Sequence, residues 1–219
     1  MKKCYLILIA LVSFTTAQAQ KGVYVGLKGA FNSTWLFNKS VSDAGDELDY
    51  KTGFGSQFGI CSRFNFNDNS GIVLEVLMGR VNQKYTNRII VGNTTLETFE
   101  TENKMKTIDI PVLYRYTFDK GAYFEVGPQF SIVNEFKTES PVGSTKIDKK
   151  YLNSPYLAAD LGFGYAIGLT DNLAIDAGLR FSWGLSDISK KQSGEQNHEA
   201  TNAAVGGVNV GLTYFLGKK

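Results

Sequence analysis

Cysteine is almost missing from this 219-residue chain, which has only Cys4 and Cys61. Cys4 lies in an N-terminal leader, so Cys61 has no partner and an internal disulfide is excluded. Cys4 also precedes the apolar part of that leader, where a lipid-modified cysteine would have to follow it. Histidine is scarcer still, with His198 alone. No histidine pair and no cysteine cluster offers a metal site. Beyond residue 20 no stretch reaches 18 consecutive apolar residues, which excludes transmembrane helices there. Neither sign of charge is in excess, with 23 basic and 21 acidic residues. Nucleic-acid binding needs a basic surplus and is not expected. No glycine-rich phosphate motif stands between a strand and a helix.

The leader reads as a secretory signal over residues 1–19. Lys2 and Lys3 form its basic start and Tyr5 to Val12 its apolar run. Ala17-Gln18-Ala19 forms a small-x-small cleavage site before Gln20. The run is too short for a membrane-spanning helix. Without Lys2 and Lys3 the remaining chain carries 21 basic and 21 acidic residues. Residues 20–219 have the length of one domain.

What is there is alternation. Leu173, Ile175, Ala177, Leu179, Phe181, Trp183 and Leu185 share one face of a strand, and Ala174, Asp176, Gly178, Arg180, Ser182 and Gly184 share the other. A tilted strand crosses a bilayer in about 9–11 residues. The pattern occurs eight times, over about 22–36, 51–65, 71–83, 106–118, 122–136, 154–169, 173–185 and 203–216. No helical periodicity is comparably strong. Short turns (Asn67 to Ser70, Asp119 to Gly121, Thr170 to Asn172) alternate with long polar segments. The long segments, about 37–50, 84–105, 137–153 and 187–202, read as loops. This is the asymmetry of outer-membrane barrels, with turns inside the envelope and loops outside. The expected fold is all-β: an eight-stranded antiparallel up-and-down transmembrane barrel. Aromatics near the strand ends, among them Trp35, Trp183, Phe66, Phe118, Tyr123 and Phe215, read as two interfacial belts. The plainer alternative is that aromatics favour strands.

The inward face carries Lys28, Arg63, Glu75, Asp109, Arg115, Glu125, Asp160, Asp176 and Arg180, together with Gln57 and many glycines. Four cations and five anions on one face imply an internal salt-bridge network. Arg63 with Glu75, and Arg115 with Glu125, flank successive tight turns and are expected to pair. Eight strands enclose a space that side chains fill, so a diffusion pore is not expected. A proton or ion path is the sharper alternative to a packed polar core. Cys61 projects inward by phase as a small, inert side chain.

No catalytic residue and no cofactor is assigned. His198, with Asp187, Ser193 and Glu195 nearby, could form a Ser/His/acid group at loop level; polar loops supply such residues by chance. Asp43, Asp46, Glu47 and Asp49 read as a solvated acidic loop. Calcium is the alternative, although their spacing fits no known calcium loop.

Thr107 to Tyr116, reading Thr-Ile-Asp-Ile-Pro-Val-Leu-Tyr-Arg-Tyr, resembles the Ile-Pro-Leu-Leu-x-x-Tyr strand of the PorT-like outer-membrane β-barrel family. Gly127-Pro128 matches the family's Gly-Pro in the next strand. Asp160-Leu161-Gly162-Phe163-Gly164, Ala177 to Phe181 and Gly184 to Asp187 are similar to its C-terminal motifs. Asp187 stands where the family often has asparagine. The resemblance implies an outer-membrane barrel, and a link to protein secretion and envelope assembly.

The leading expectation is a non-enzymatic envelope protein set in outer-membrane lipid, with loops presented outside for structure or binding. Accessory membership of a secretion or assembly machine, with envelope or secretion proteins as partners, is the alternative. A loop-level enzyme and a soluble lipocalin-like carrier are the remaining readings.

Overall fold

The structure, a computed structural model, describes residues 22–38, 41, 43, 47–91, 94–190 and 199–217. The expected signal segment 1–19, Cys4, Asp46, Ser193, Glu195 and His198 lie outside the described residues. The strands are β1 (Val23–Asn38), β2 (Leu48–Lys51), β3 (Gly53–Asn65), β4 (Ser70–Val91), β5 (Thr94–Thr117), β6 (Ala122–Ser140), β7 (Gly143–Ile147), β8 (Tyr156–Gly168), β9 (Leu173–Gly184) and β10 (Thr201–Phe215).

Eight of them close a ring in the order β1-β3-β4-β5-β6-β8-β9-β10, each antiparallel to its neighbours, with β10 pairing back to β1. The ring has no free edge in its wall, as a membrane requires. Followed around the ring from Val23, the register passes through Phe64, Ile72, Tyr114, Val126, Leu161, Phe181 and Gly206. It returns to β1 at Ser33, ten residues further along (from 23 to 33). With usual strand spacings this stagger tilts the strands by roughly 40°. The shift is even, so outward residues remain outward around the full circle.

The short turns are locally specified. The Asn67 side chain accepts hydrogen bonds from the backbone N–H groups of Asn69 (3.0 Å) and Ser70 (2.7 Å), an Asx turn. Gly121 adopts φ of 88°, in the left-handed region that glycine enters without strain. Thr170 Oγ1 accepts from Leu173 N at 3.0 Å.

Burial alternates as the apolar pattern predicts, and inverted relative to a water-soluble barrel. Leu27, Phe58, Ile60, Met78, Phe163, Leu179 and Val208 are exposed on the outer wall, while Lys28, Glu75, Asp109, Glu125, Asp160 and Asp176 are buried inside. Met78 is 67% exposed and Glu75, on the same strand, 1%. A lipocalin-like arrangement has the opposite sense.

Two expectations need correction. Residues 84–105 are not a loop. β4 and β5 continue as a paired ribbon to Val91 and Thr94, and β2 joins its edge through Leu48↔Asn87 to Lys51↔Lys84. Likewise Lys137 to Ser140 pairs with β7, inside the segment read as the third loop. Beyond the bilayer both faces of a strand are wet, so the ladder continues without any apolar alternation to announce it. The aromatic belts also lose members. Tyr123 is 3% exposed and points inward, and Phe215 packs tilted against the inward Tyr24, centroids 4.9 Å apart. Trp183, Phe66 and Phe118 stay exposed on the outer wall.

Candidate functional site

Buried charged side chains converge in the lumen, which is layered along the barrel axis. Nearest the short turns, Arg63 lies over the ring of Tyr24 at 3.9 Å, and Arg115 over that of Tyr123 at 3.6 Å. Both are cation–π contacts. Arg115 Nη2 donates to Asp176 Oδ1 at 2.7 Å. Arg63 Nη1 lies 3.9 Å from the same oxygen.

The next layer is a shared ion cluster. Lys28 Nζ donates to Glu75 Oε1 at 2.7 Å. Arg180 Nη1 and Nη2 donate to the two oxygens of Glu75 at 2.6 and 3.0 Å. Arg180 Nη2 also reaches Glu125 Oε2 at 2.6 Å, and Arg115 Nη1 lies 3.4 Å from Glu125 Oε1. Each carboxylate therefore faces at least two cations. Glycines make the room. A Cβ on Gly164 or Gly178 would stand 2.6 or 2.7 Å from the hydroxyl of Tyr123.

Above it, Asn32 Nδ2 donates to Gln57 Oε1 at 3.1 Å, and Gln57 Nε2 donates to Asp109 Oδ2 at 2.7 Å. Asp109 and Asp160 are both 2% exposed. Neither makes an ion pair among the described residues. The expected pair of Arg63 with Glu75 is not made. Their strands place Arg63 opposite Val73 and Glu75 opposite Cys61, and long side chains choose partners across the lumen instead of along the wall. Arg115 and Glu125 do face each other in register.

The uppermost layer is apolar. Leu36, Val81, Met105, Val133, Tyr156, Ile188 and Ala203 are buried together, with Phe136, Leu152 and Val205 packed against them. This layer was not foreseen. Its signal was present: Leu36, Val81, Met105 and Val133 occupy the inward phase at the loop ends of their strands, where the polar pattern gives way. Ile188 comes from the described start of the last long segment, where its N–H donates to the Thr201 carbonyl at 2.8 Å. Asp187 Oδ1 accepts from the N–H groups of Ser189 (2.9 Å) and Thr201 (2.8 Å). Asn153 Nδ2 donates to the carbonyls of Asp187 (3.1 Å) and Ser189 (3.0 Å).

Small cavities of about 20 Å³ in the ion layer and about 10 Å³ in the amide layer are each near the volume that one water needs. Buried charges held by two or more opposite charges are tied up as structure.

Residues 16–190 match the family described as Outer membrane protein beta-barrel domain. The chain belongs to this family. It is an outer-membrane protein, and lipid surrounds its exposed apolar wall. Among solved structures the barrel is similar to OprG, an outer membrane protein of Pseudomonas aeruginosa, with 14% identity and a TM-score of 0.47 over 90% of this chain and 97% of that one. It is also similar to Ail, the attachment invasion locus protein of Yersinia pestis (12%, TM-score 0.40, 88% and 99% covered). A third is the outer membrane protease OmpT of Escherichia coli (10%, TM-score 0.42, 89% and 97% covered). At these identities the likeness concerns fold alone. No curated protein matches the chain.

Asp49 accepts from Arg88 Nη1 at 2.6 Å, so one member of the acidic group is held in an ion pair. Among the described residues no three His, Cys, Asp or Glu side chains are grouped to hold a metal ion.

Proposed function

We propose that this family member is a non-enzymatic integral barrel with a closed lumen, acting through what it presents on the outer face of the membrane. The observation that carries this reading is the pair of stacked seals inside the ring: a charge-saturated layer anchored by Glu75 and Arg180, and the apolar layer around Met105. An ion crossing the lumen would have to displace both. The β4–β5 ribbon, with β2 beside β4 and the β6–β7 pair beside β5, provides a paired platform above the membrane, suited to contact with another molecule.

Planar-bilayer recording of the purified barrel tests the closed lumen. The expected result is no steady conductance; stable large-ion channels would overturn the reading. The resemblance of Thr107 to Tyr116 and of Gly127-Pro128 to PorT-like barrels makes a secretion or assembly partner one candidate for the platform. Mild extraction from native outer membrane distinguishes that case by stable subunits that accompany the barrel.

A further inference from the structure

We propose that the outer face of β4, β5 and β6, just above the apolar belt, binds the phosphate groups of an outer-leaflet lipid. This rests on the outer-membrane setting, and not on what the loops contact. Along β4 the outward series Ile72, Leu74, Val76, Met78 changes abruptly to Arg80, Asn82, Lys84. On β5 it changes from Ile108 to Lys106 and Lys104, and on β6 from Ile132 to Glu135 and Lys137. The three changes adjoin one another in register, at the edge of the hydrocarbon.

The cations there face one another. Arg80 is directly opposite Lys106, Lys104 opposite Lys137, Lys137 opposite Lys146 and Lys84 opposite Lys51. Like charges directly across a ladder are destabilising, so four such juxtapositions in one patch call for an anion. The protein provides too few. Glu135 alone serves Lys106, Lys137 and Lys146 at 2.9, 3.5 and 3.8 Å. Glu102 and Glu139 both pair with Lys104. Arg80 and Lys84 have no ion pair among the described residues. Glu100 serves Lys51, so seven cations (Lys51, Arg80, Lys84, Lys104, Lys106, Lys137, Lys146) meet four carboxylates (Glu100, Glu102, Glu135, Glu139).

The patch borders an open groove of about 440 Å³ between Arg80 and Glu139, within the size range of small-ligand sites. Its lower edge runs into the exposed Met78 and Ile132. That continuity selects a lipid over a soluble anion: acyl chains lie on the apolar wall while the phosphates meet Arg80 and Lys106.

The test reconstitutes the full-length barrel into phosphatidylcholine nanodiscs carrying either bis-phosphorylated lipid A or its dephosphorylated counterpart. Lipid retained by the protein after detergent extraction is measured by mass spectrometry. The wild type is expected to retain the phosphorylated lipid preferentially. Arg80→Gln and Lys106→Gln are each expected to reduce that preference about fivefold, the effect of one basic residue near an anionic surface. Lys120→Gln, in a short turn at the opposite end, is expected to leave it unchanged. Equal retention of the two lipids by the wild type would overturn the proposal whatever the variants do. So would full preference in the Arg80→Gln/Lys106→Gln double variant. Displacement of the bound lipid by excess inorganic phosphate would overturn the lipid assignment.

Discussion

Arg180 reaches straight across the lumen to Glu75, with Nη1 2.6 Å from Oε2 and Nη2 3.0 Å from Oε1. Their strands, β9 and β4, stand opposite each other in the ring of eight. One bidentate pair therefore ties the two far walls together, and Lys28 and Glu125 extend it to β1 and β6. Breaking a buried pair by removing one partner typically costs about 3–5 kcal/mol, because the other charge is left without compensation. Arg180→Gln and Glu75→Gln should each destabilise the barrel on that scale. The double variant should lose less than the sum, by about 1 kcal/mol or more. Denaturant unfolding in detergent micelles measures all three; strict additivity would contradict a direct tie.

Tyr123 occupies a slot that two glycines leave open. Its hydroxyl would be 2.6 Å from a Cβ on Gly164 and 2.7 Å from one on Gly178, and its ring supports Arg115. Gly178→Ala should therefore push the ring aside and destabilise by about 1–3 kcal/mol, the usual range for overpacking. The same substitution in a Tyr123→Ala background should cost clearly less, because the colliding atom has gone. An unchanged penalty would mean that the nearby Phe163 carbonyl, and not Tyr123, sets the limit.

The wall of this barrel was readable because lipid and lumen impose opposite demands on successive residues. Leu179 and Arg180 could not exchange places without placing a guanidinium in hydrocarbon. The same rule put nine charges on the inward phase. It did not say which would meet: partners are chosen across a tilted cylinder, so Arg63 turns to Asp176 and Tyr24 while Glu75 is taken by Lys28 and Arg180. The phase of Tyr123, two residues from Glu125, already placed it inward. Only its position near a strand end suggested a belt. The β4–β5 ribbon was unreadable for a simpler reason. Above the membrane Lys84 to Lys104 carries no apolar alternation, and backbone pairing leaves no trace in hydropathy.

Met105 is 1% exposed at the centre of the apolar seal. Met105→Ala removes most of its side chain from a packed layer and should cost about 2–5 kcal/mol. The lumen should nevertheless stay closed, because the ion layer below does not involve Met105. Unfolding and bilayer conductance measured on the same preparation separate the two effects. Lower stability without current is the expected result. Current through this variant would mean that the apolar layer alone closes the barrel.

Glu100, on the ribbon above the membrane, accepts a hydrogen bond from Lys51. That bond, then the positive charge of Lys51 and more weakly that of Lys84, holds its carboxyl below the ordinary value of 4.5. A group whose folded value is depressed stabilises the fold above its unfolded value and loses that contribution as pH falls through the folded one. The Lys51–Glu100 tie between β2 and β5 should therefore be intact at neutral pH and down to about 4.5, the unfolded carboxylate value. It should be released only in stronger acid. Carboxyl NMR titration in micelles should place Glu100 below the ordinary carboxylate value, and Lys51→Gln should raise it towards that value. Both groups are solvent-exposed, so moderate salt should shrink the shift. A Glu100 titration that Lys51→Gln leaves unmoved would assign the shift to another charge and detach β2 from β5 in solution.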